Sequence, residues 1–104
     1  GEATAHTLAG SGAALVIADR RIDMATRVAA DLAEAGARTM ALGMDVTSQT
    51  DIDAAVGRIG QAFGRLDMLV NTAGVIKPAE LETLDLDDWR ATFEVNVHGA
   101  LMLA

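Results

Sequence analysis

Cysteine is absent from this chain. That excludes a disulfide framework and a thiolate metal site, and neither His6 nor His98 has a partner at ligand spacing, so no metal is expected. Basic residues are scarce as well. Eight Lys and Arg are scattered among fifteen acids, giving a net charge of −7, whereas nucleic-acid phosphates need a basic face. Nucleic acid is therefore not an expected partner. The longest apolar runs are a few residues, far short of the roughly 20 that a membrane span needs, so no membrane partner is expected either. Gly1 and Glu2 open directly into an Ala-rich helical pattern that does not resemble a signal peptide. The expected location is the cytoplasm, and the lack of Cys is compatible with a reducing compartment. Proline occurs once and aromatics make up 3%.

What remains is ordered and globular in character, with 51% hydrophobic and 22% charged residues. The apolar content is mostly Ala, Val, Leu, Ile and Met, which suits helices packed closely on a sheet. One hundred and four residues have room for one core, so residues 1–104 are read as one domain.

Residues 2–10, EATAHTLAG, read as a short helix ended by Gly10-Ser11-Gly12. Residues 13–18, AALVIA, have the length and branching of a strand buried on both faces. Ile22, Ala25, Val28, Ala29 and Leu32 then recur at helical spacing up to Gly36, a suitable residue just past a helix end. Residues 38–44, RTMALGM, form a second strand candidate closed by Asp45. Thr47 or Ser48 can cap a third helix, with Ser48 and Asp51 at capping-box spacing and Ile52, Val56, Ile59 and Phe63 on one stripe as far as Gly64. Residues 67–71 read as a third strand, followed by the loop that carries Pro78. Asp85 suits the cap of a last helix, in which Trp89, Phe93 and Val97 step by four.

Apolar strands separated by amphipathic helices argue for an α/β fold with a parallel sheet covered on both faces. Sheets of this kind bind ligands at the carboxyl ends of their strands. Here those ends carry Asp19, Asp45, and the run Asn71-Thr72-Ala73-Gly74. Asp19 is either a solvated strand end or the acid that accepts the ribose hydroxyls of an adenosine. The second assignment expects a glycine fingerprint about 20 residues earlier. Gly1 precedes Asp19 by 18 positions and would be the last glycine of such a phosphate loop. Asp45 either opens the next helix or contacts an adenine amino group. Ala73 and Gly74 are small enough for backbone to approach a flat cofactor, and Asn71 is expected to be a buried amide that pins the neighbouring loop.

NTAG after an apolar strand, DV at 45 and 46, the acid at 19 and DDWRATFEVNVHGA at 87–100 occur in an order that resembles the short-chain dehydrogenase/reductase family. The resemblance runs over essentially the whole chain and implies a Rossmann-like, doubly wound parallel sheet. It also implies an NAD(P)-dependent oxidoreductase that transfers hydride between nicotinamide and an alcohol or ketone. Gly1 resembles the final glycine of the family's Thr-Gly-x-x-x-Gly-x-Gly turn. Asp19 matches the residue that favours NAD, because a carboxylate repels a 2′-phosphate. Arg20 and Arg21 keep NADP open, since an arginine beside that position can hold the extra phosphate. Asp45 and Val46 match the adenine pocket, and Asn71, Ala73 and Gly74 match Asn-Asn-Ala-Gly, with Thr72 in place of its second Asn. Asn96 matches the helix asparagine whose backbone carbonyl positions a water in the proton relay. The alternative is that Asn96 simply bends its helix.

The family's reaction also needs a Ser and a Tyr-x-x-x-Lys turn, and this chain has no tyrosine and a single lysine, Lys77. The family's first strand, which lies between the strands at 13–18 and 67–71, has no counterpart here. The chain is thus expected to be a truncated interior fragment of a longer dehydrogenase, inactive alone, whose parent acts on a small molecule and forms a homo-oligomer. Two rivals stand beside it: a non-catalytic dinucleotide-binding module, and a piece that cannot fold. Without the first strand, two strands must either meet across a gap of roughly 10 Å or leave backbone groups unpaired.

Overall fold

A computed structural model describes residues 1–104. The chain forms α1 (Glu2–Gly10), β1 (Leu15–Asp19), α2 (Ile22–Glu34), β2 (Thr39–Gly43) and α3 (Gln49–Phe63). After a long irregular stretch and a single 3-10 turn at Leu81–Thr83 come α4 (Leu86–Phe93), a π-helical segment (Glu94–Gly99) and α5 (Ala100–Leu103).

β1 and β2 pair in parallel, with Leu15 opposite Thr39 and Asp19 opposite Gly43. One further bond, from the Met44 N–H to the Asp19 carbonyl at 3.1 Å, carries the ladder past the strand ends. The crossover between the strands is α2, whose Ala25, Val28, Ala29 and Leu32 are buried at the spacing of one helical face. Val28 and Leu32 meet Ala5 of α1, with Leu15 and Ile17 packed against them from the same face of β1. This three-way junction is the centre of the core. Gly36, at φ +94, turns the chain out of α2, and Gly64, at φ +75, closes α3; both conformations favour glycine.

Ser48 is the cap of α3, and its hydroxyl accepts the Asp51 N–H at 3.2 Å. Asp51 does not return the bond to the cap itself, as a capping box would. Its carboxylate reaches further back and accepts the Asp45 N–H at 3.0 Å, tying the end of β2 to the start of α3. At the other end of α3 no basic residue occupies the last turn. Arg38 supplies that charge from the start of β2, donating to the Ala62 carbonyl at 2.6 Å with its guanidinium 4.4 Å from the centre of the Phe63 ring.

The expected third strand does not form. No backbone-to-backbone hydrogen bond involves residues 65–79, so residues 67–71 belong to no ladder. The reason is the pairing rule itself: a strand is stable only against a neighbour about 4.8 Å away, and here an open cleft separates these residues from the free edge of β1. Met68, Leu69 and Val70 are accordingly about half exposed or more. Of the two expected outcomes, the chain leaves these groups unpaired and does not bridge the gap. Only nine residues in the whole chain are buried.

Hydrogen exchange resolves this architecture directly. Amides of β2 and of α2 around Val28 and Leu32 are expected to exchange slowest, and those of residues 65–72 near the rate of an unstructured chain. Protection at 67–71 equal to that of β2 would mean that the third strand is paired in solution.

Candidate functional site

The parallel register brings two of the predicted acids to one end of the sheet. Asp19 closes β1 and Asp45 follows β2 by two residues, and both border a cleft of about 1030 Å3. The irregular stretch lines the same cleft with Asn71, Ala73 and Gly74, and Gly1, ahead of α1, lines it too. Arg20 and Val46 line it as well. Every residue expected to hold a cofactor, drawn from four separate parts of the chain, therefore faces one space.

Each acid has one oxygen engaged and one unbonded. Asp19 accepts the Arg21 N–H on Oδ1 at 2.8 Å, and the Arg21 side chain lies 3.8 Å away. Asp45 accepts both the Thr47 hydroxyl at 2.7 Å and the Thr47 N–H at 2.9 Å on its Oδ1. The Thr47 hydroxyl, then its N–H, hold the Asp45 carboxyl below the ordinary carboxylate range; burial opposes them and the Arg20 charge assists. A group with a lowered folded pKa stabilises above its unfolded value and loses that contribution as pH falls through the folded one. Asp45 thus fixes the loop between β2 and α3 at neutral pH, in keeping with its helix-opening role, while Oδ2 of either acid remains available to a ligand.

Asn71 departs from expectation. It is exposed, and its Oδ1 accepts the Ala73 N–H at 3.0 Å, shaping its own turn. The amide that pins the loop is Asn96. Its Oδ1 accepts the Val75 N–H and its Nδ2 donates to the Val75 carbonyl, both at 2.8 Å. Only one orientation of the amide satisfies both bonds, so donor and acceptor are fixed. Asn96 lies in the π-helical segment, and there the backbone ladder changes. Ala100, whose N–H would serve the Asn96 carbonyl in a regular α-helix, donates to Val97 instead. The regular i→i−4 ladder is thus interrupted beside the Asn96 carbonyl.

Three residues that sequence reasoning passed over complete the arrangement. Thr72, the departure from Asn-Asn-Ala-Gly, packs so close to Gly1 that a Cβ there would lie 2.8 Å from its hydroxyl. Val75 is the partner of Asn96. Gly99 sits against Val46, and a glycine in a helical pattern, costing about 1 kcal/mol relative to Ala, was the available signal. Lys77 is paired with Asp88 of α4 and does not line the cleft. Among all residues, no cluster of His, Cys, Asp and Glu has the arrangement of a metal site. No helix is long and apolar enough to cross a membrane.

A profile of the short chain dehydrogenase family matches residues 1–104. The chain belongs to that family. It is 37% identical over 99 residues to 2,3-dihydro-2,3-dihydroxybenzoate dehydrogenase of Bacillus subtilis, covering 95% of this chain and 38% of that protein. The fold matches a 3-ketoacyl-ACP reductase from Sinorhizobium meliloti with a TM-score of 0.94 at 31% identity, over 99% of this chain and 41% of the other. A short chain dehydrogenase from Burkholderia cenocepacia, solved in complex with NADP, matches with a TM-score of 0.87 at 36% identity, over 97% and 42% of the two chains. The chain thus spans about two fifths of the length of these relatives, and its fold is the Rossmann-like α/β fold of the family.

Two measurements probe the site. Thr47→Val is expected to raise the Asp45 pKa toward the usual carboxylate value, as read by NMR titration of its side chain; no change would remove the hydroxyl as the main cause. Asn96→Ala deletes two exposed hydrogen bonds worth about 1 kcal/mol together and should speed exchange at the Val75 amide. Unaltered exchange there would show that other contacts hold the loop.

Proposed function

We propose that this chain is the dinucleotide-binding part of an NAD(P)-dependent oxidoreductase acting on a small alcohol or ketone. The observation that carries the proposal is the convergence of Gly1, Asp19, Arg20, Asp45, Val46, Asn71, Ala73 and Gly74 on one cleft. Their chemistry suits a nicotinamide dinucleotide. The unbonded oxygens of Asp19 and Asp45 offer acceptors for ribose hydroxyls and for an adenine amino group. Ala73 and Gly74 let backbone approach a flat ring, and Gly1 opens α1, whose N-terminal dipole favours a phosphate. A nicotinamide cofactor donates or accepts hydride; the residues of this chain bind and orient it.

Asp19 favours NAD. Its engagement by Arg21 leaves a guanidinium beside the carboxylate, so NADP stays within reach of the same site, and the relative from Burkholderia cenocepacia solved with NADP is in keeping with that. The Asn96 carbonyl is the one chemical contribution to turnover assigned within these residues, as the acceptor for a relay water. The Ser and the Tyr-x-x-x-Lys turn of the reaction are assigned to the remainder of the parent protein, because this chain has no tyrosine and its lysine is tied to Asp88. The 104 residues alone are inactive in this reading. The exposed stripe of Leu86, Trp89, Phe93, Val97 and Leu101 supports self-association of the parent protein.

The test is cofactor selectivity of the full-length protein. A carboxylate some 5 Å from a doubly charged phosphate in water repels it by about 1.7 kcal/mol, so Asp19→Asn should lower the NAD/NADP preference about tenfold. Unchanged selectivity would take Asp19 out of that role. Asn96→Ala should reduce kcat far more than cofactor affinity, and an unaltered kcat would remove the relay assignment.

A further inference from the structure

The α4–α5 arm is tied to the rest of the molecule at a few points, and one of them carries no polar group. Gly99, at the end of the π-helical segment, is buried, and it is seated on Val46. A Cβ built at Gly99 would lie 2.7 Å from Val46 Cγ2, 3.2 Å from Val46 Cβ and 3.2 Å from the Val46 carbonyl oxygen. The first distance is inside van der Waals contact, and the other two involve the backbone and its immediate branch, which no rotamer change relieves.

What yields is set by how each side is held. Three residues before Gly99, the two Asn96 bonds to Val75 fix the arm. Val46 is half-buried and lines the cleft together with Asp45. Its neighbour Asp45 is bonded to Thr47 and Asp51. Because Val46 lines the cleft beside Asp45, any shift of Val46 under a side chain at 99 changes the space next to the Asp45 oxygen left free for a ligand.

We propose that Gly99 is a positioning residue for the adenine end of the site: its missing side chain lets the arm that carries Asn96 close on Val46 without displacing Val46 into the adenine space. The inference rests on the cofactor assignment above. It goes beyond it in making one glycine, outside the strand ends, a determinant of base recognition. It also ties the adenine pocket and the segment of the relay asparagine to one contact.

The test uses the full-length protein, with ADP-ribose and the NAD analogue carrying hypoxanthine as probes. Gly99→Ala is expected to weaken ADP-ribose binding about tenfold, the effect of a modest overpacking, and to narrow the preference for NAD over the hypoxanthine analogue. A purely structural role would leave that base preference intact. In a Val46→Ala background, which removes the closest atom, adding Gly99→Ala should cost less than threefold. If Gly99→Ala alone does not fold, the double variant should, and a double variant that fares no better overturns the proposal. Undiminished ADP-ribose affinity in Gly99→Ala overturns it too, as does a loss confined to kcat, since then the arm and not Val46 has moved. A wild-type protein that binds no ADP-ribose overturns the cofactor assignment and this inference with it.

Discussion

The parallel pairing of β1 with β2 is the constraint from which the rest of the molecule follows. Only parallel strands end at the same edge of a sheet, so the register that sets Asp19 opposite Gly43 also puts Asp45 just beyond, on the same rim. That pairing demands a crossover long enough to return the chain, and α2 supplies it while burying Ala25, Val28, Ala29 and Leu32 on the sheet. Core and site are therefore products of one geometric requirement. Slip the register by one residue and the strand faces invert, removing Leu15 and Ile17 from the junction with α1 and α2.

Beyond this unit the molecule is held by side chains and not by ladders. Residues 65–79 have no backbone partner, although the run at 67–71 has the composition of a strand, and residues 65–75 line the cleft. Their turn is shaped by Asn71, and they are linked to the C-terminal arm by the paired amide of Asn96 with Val75 and by the Lys77–Asp88 ion pair. Polar clamps can specify a position that apolar burial cannot, because a bidentate amide accepts one arrangement only. The same clamp holds the π-helical segment, in which the Ala100 N–H bonds to Val97 and the regular ladder beside Asn96 is interrupted. A helix irregularity and a loop anchor are thus two aspects of one residue.

The motifs were legible because each lies within a short stretch and has a local cause. Ser48 and Asp85 cap their helices as their spacing indicates, and Gly64 ends α3 in the left-handed conformation. The acids at 19 and 45 stand at strand ends because the apolar runs before them stop there. Where the reading failed, the determinant was not local. The run at 67–71 has strand composition but no neighbour, and Asn71, expected to be a buried amide, is exposed while the more distant Asn96 does the anchoring.

The sequence by itself determined the helices, the two paired strands, the family and the residues that border the cleft, because periodicity, capping and apolar runs act over a few neighbouring positions. Tertiary structure alone decided that the third apolar run stays unpaired, that Asn96 grips Val75, that Asp51 reaches back to Asp45 and that Gly99 rests on Val46. Those contacts join residues separated in the chain by loops whose course no local pattern encodes. They exist only once packing has brought the two sides within a hydrogen bond or a van der Waals radius of each other.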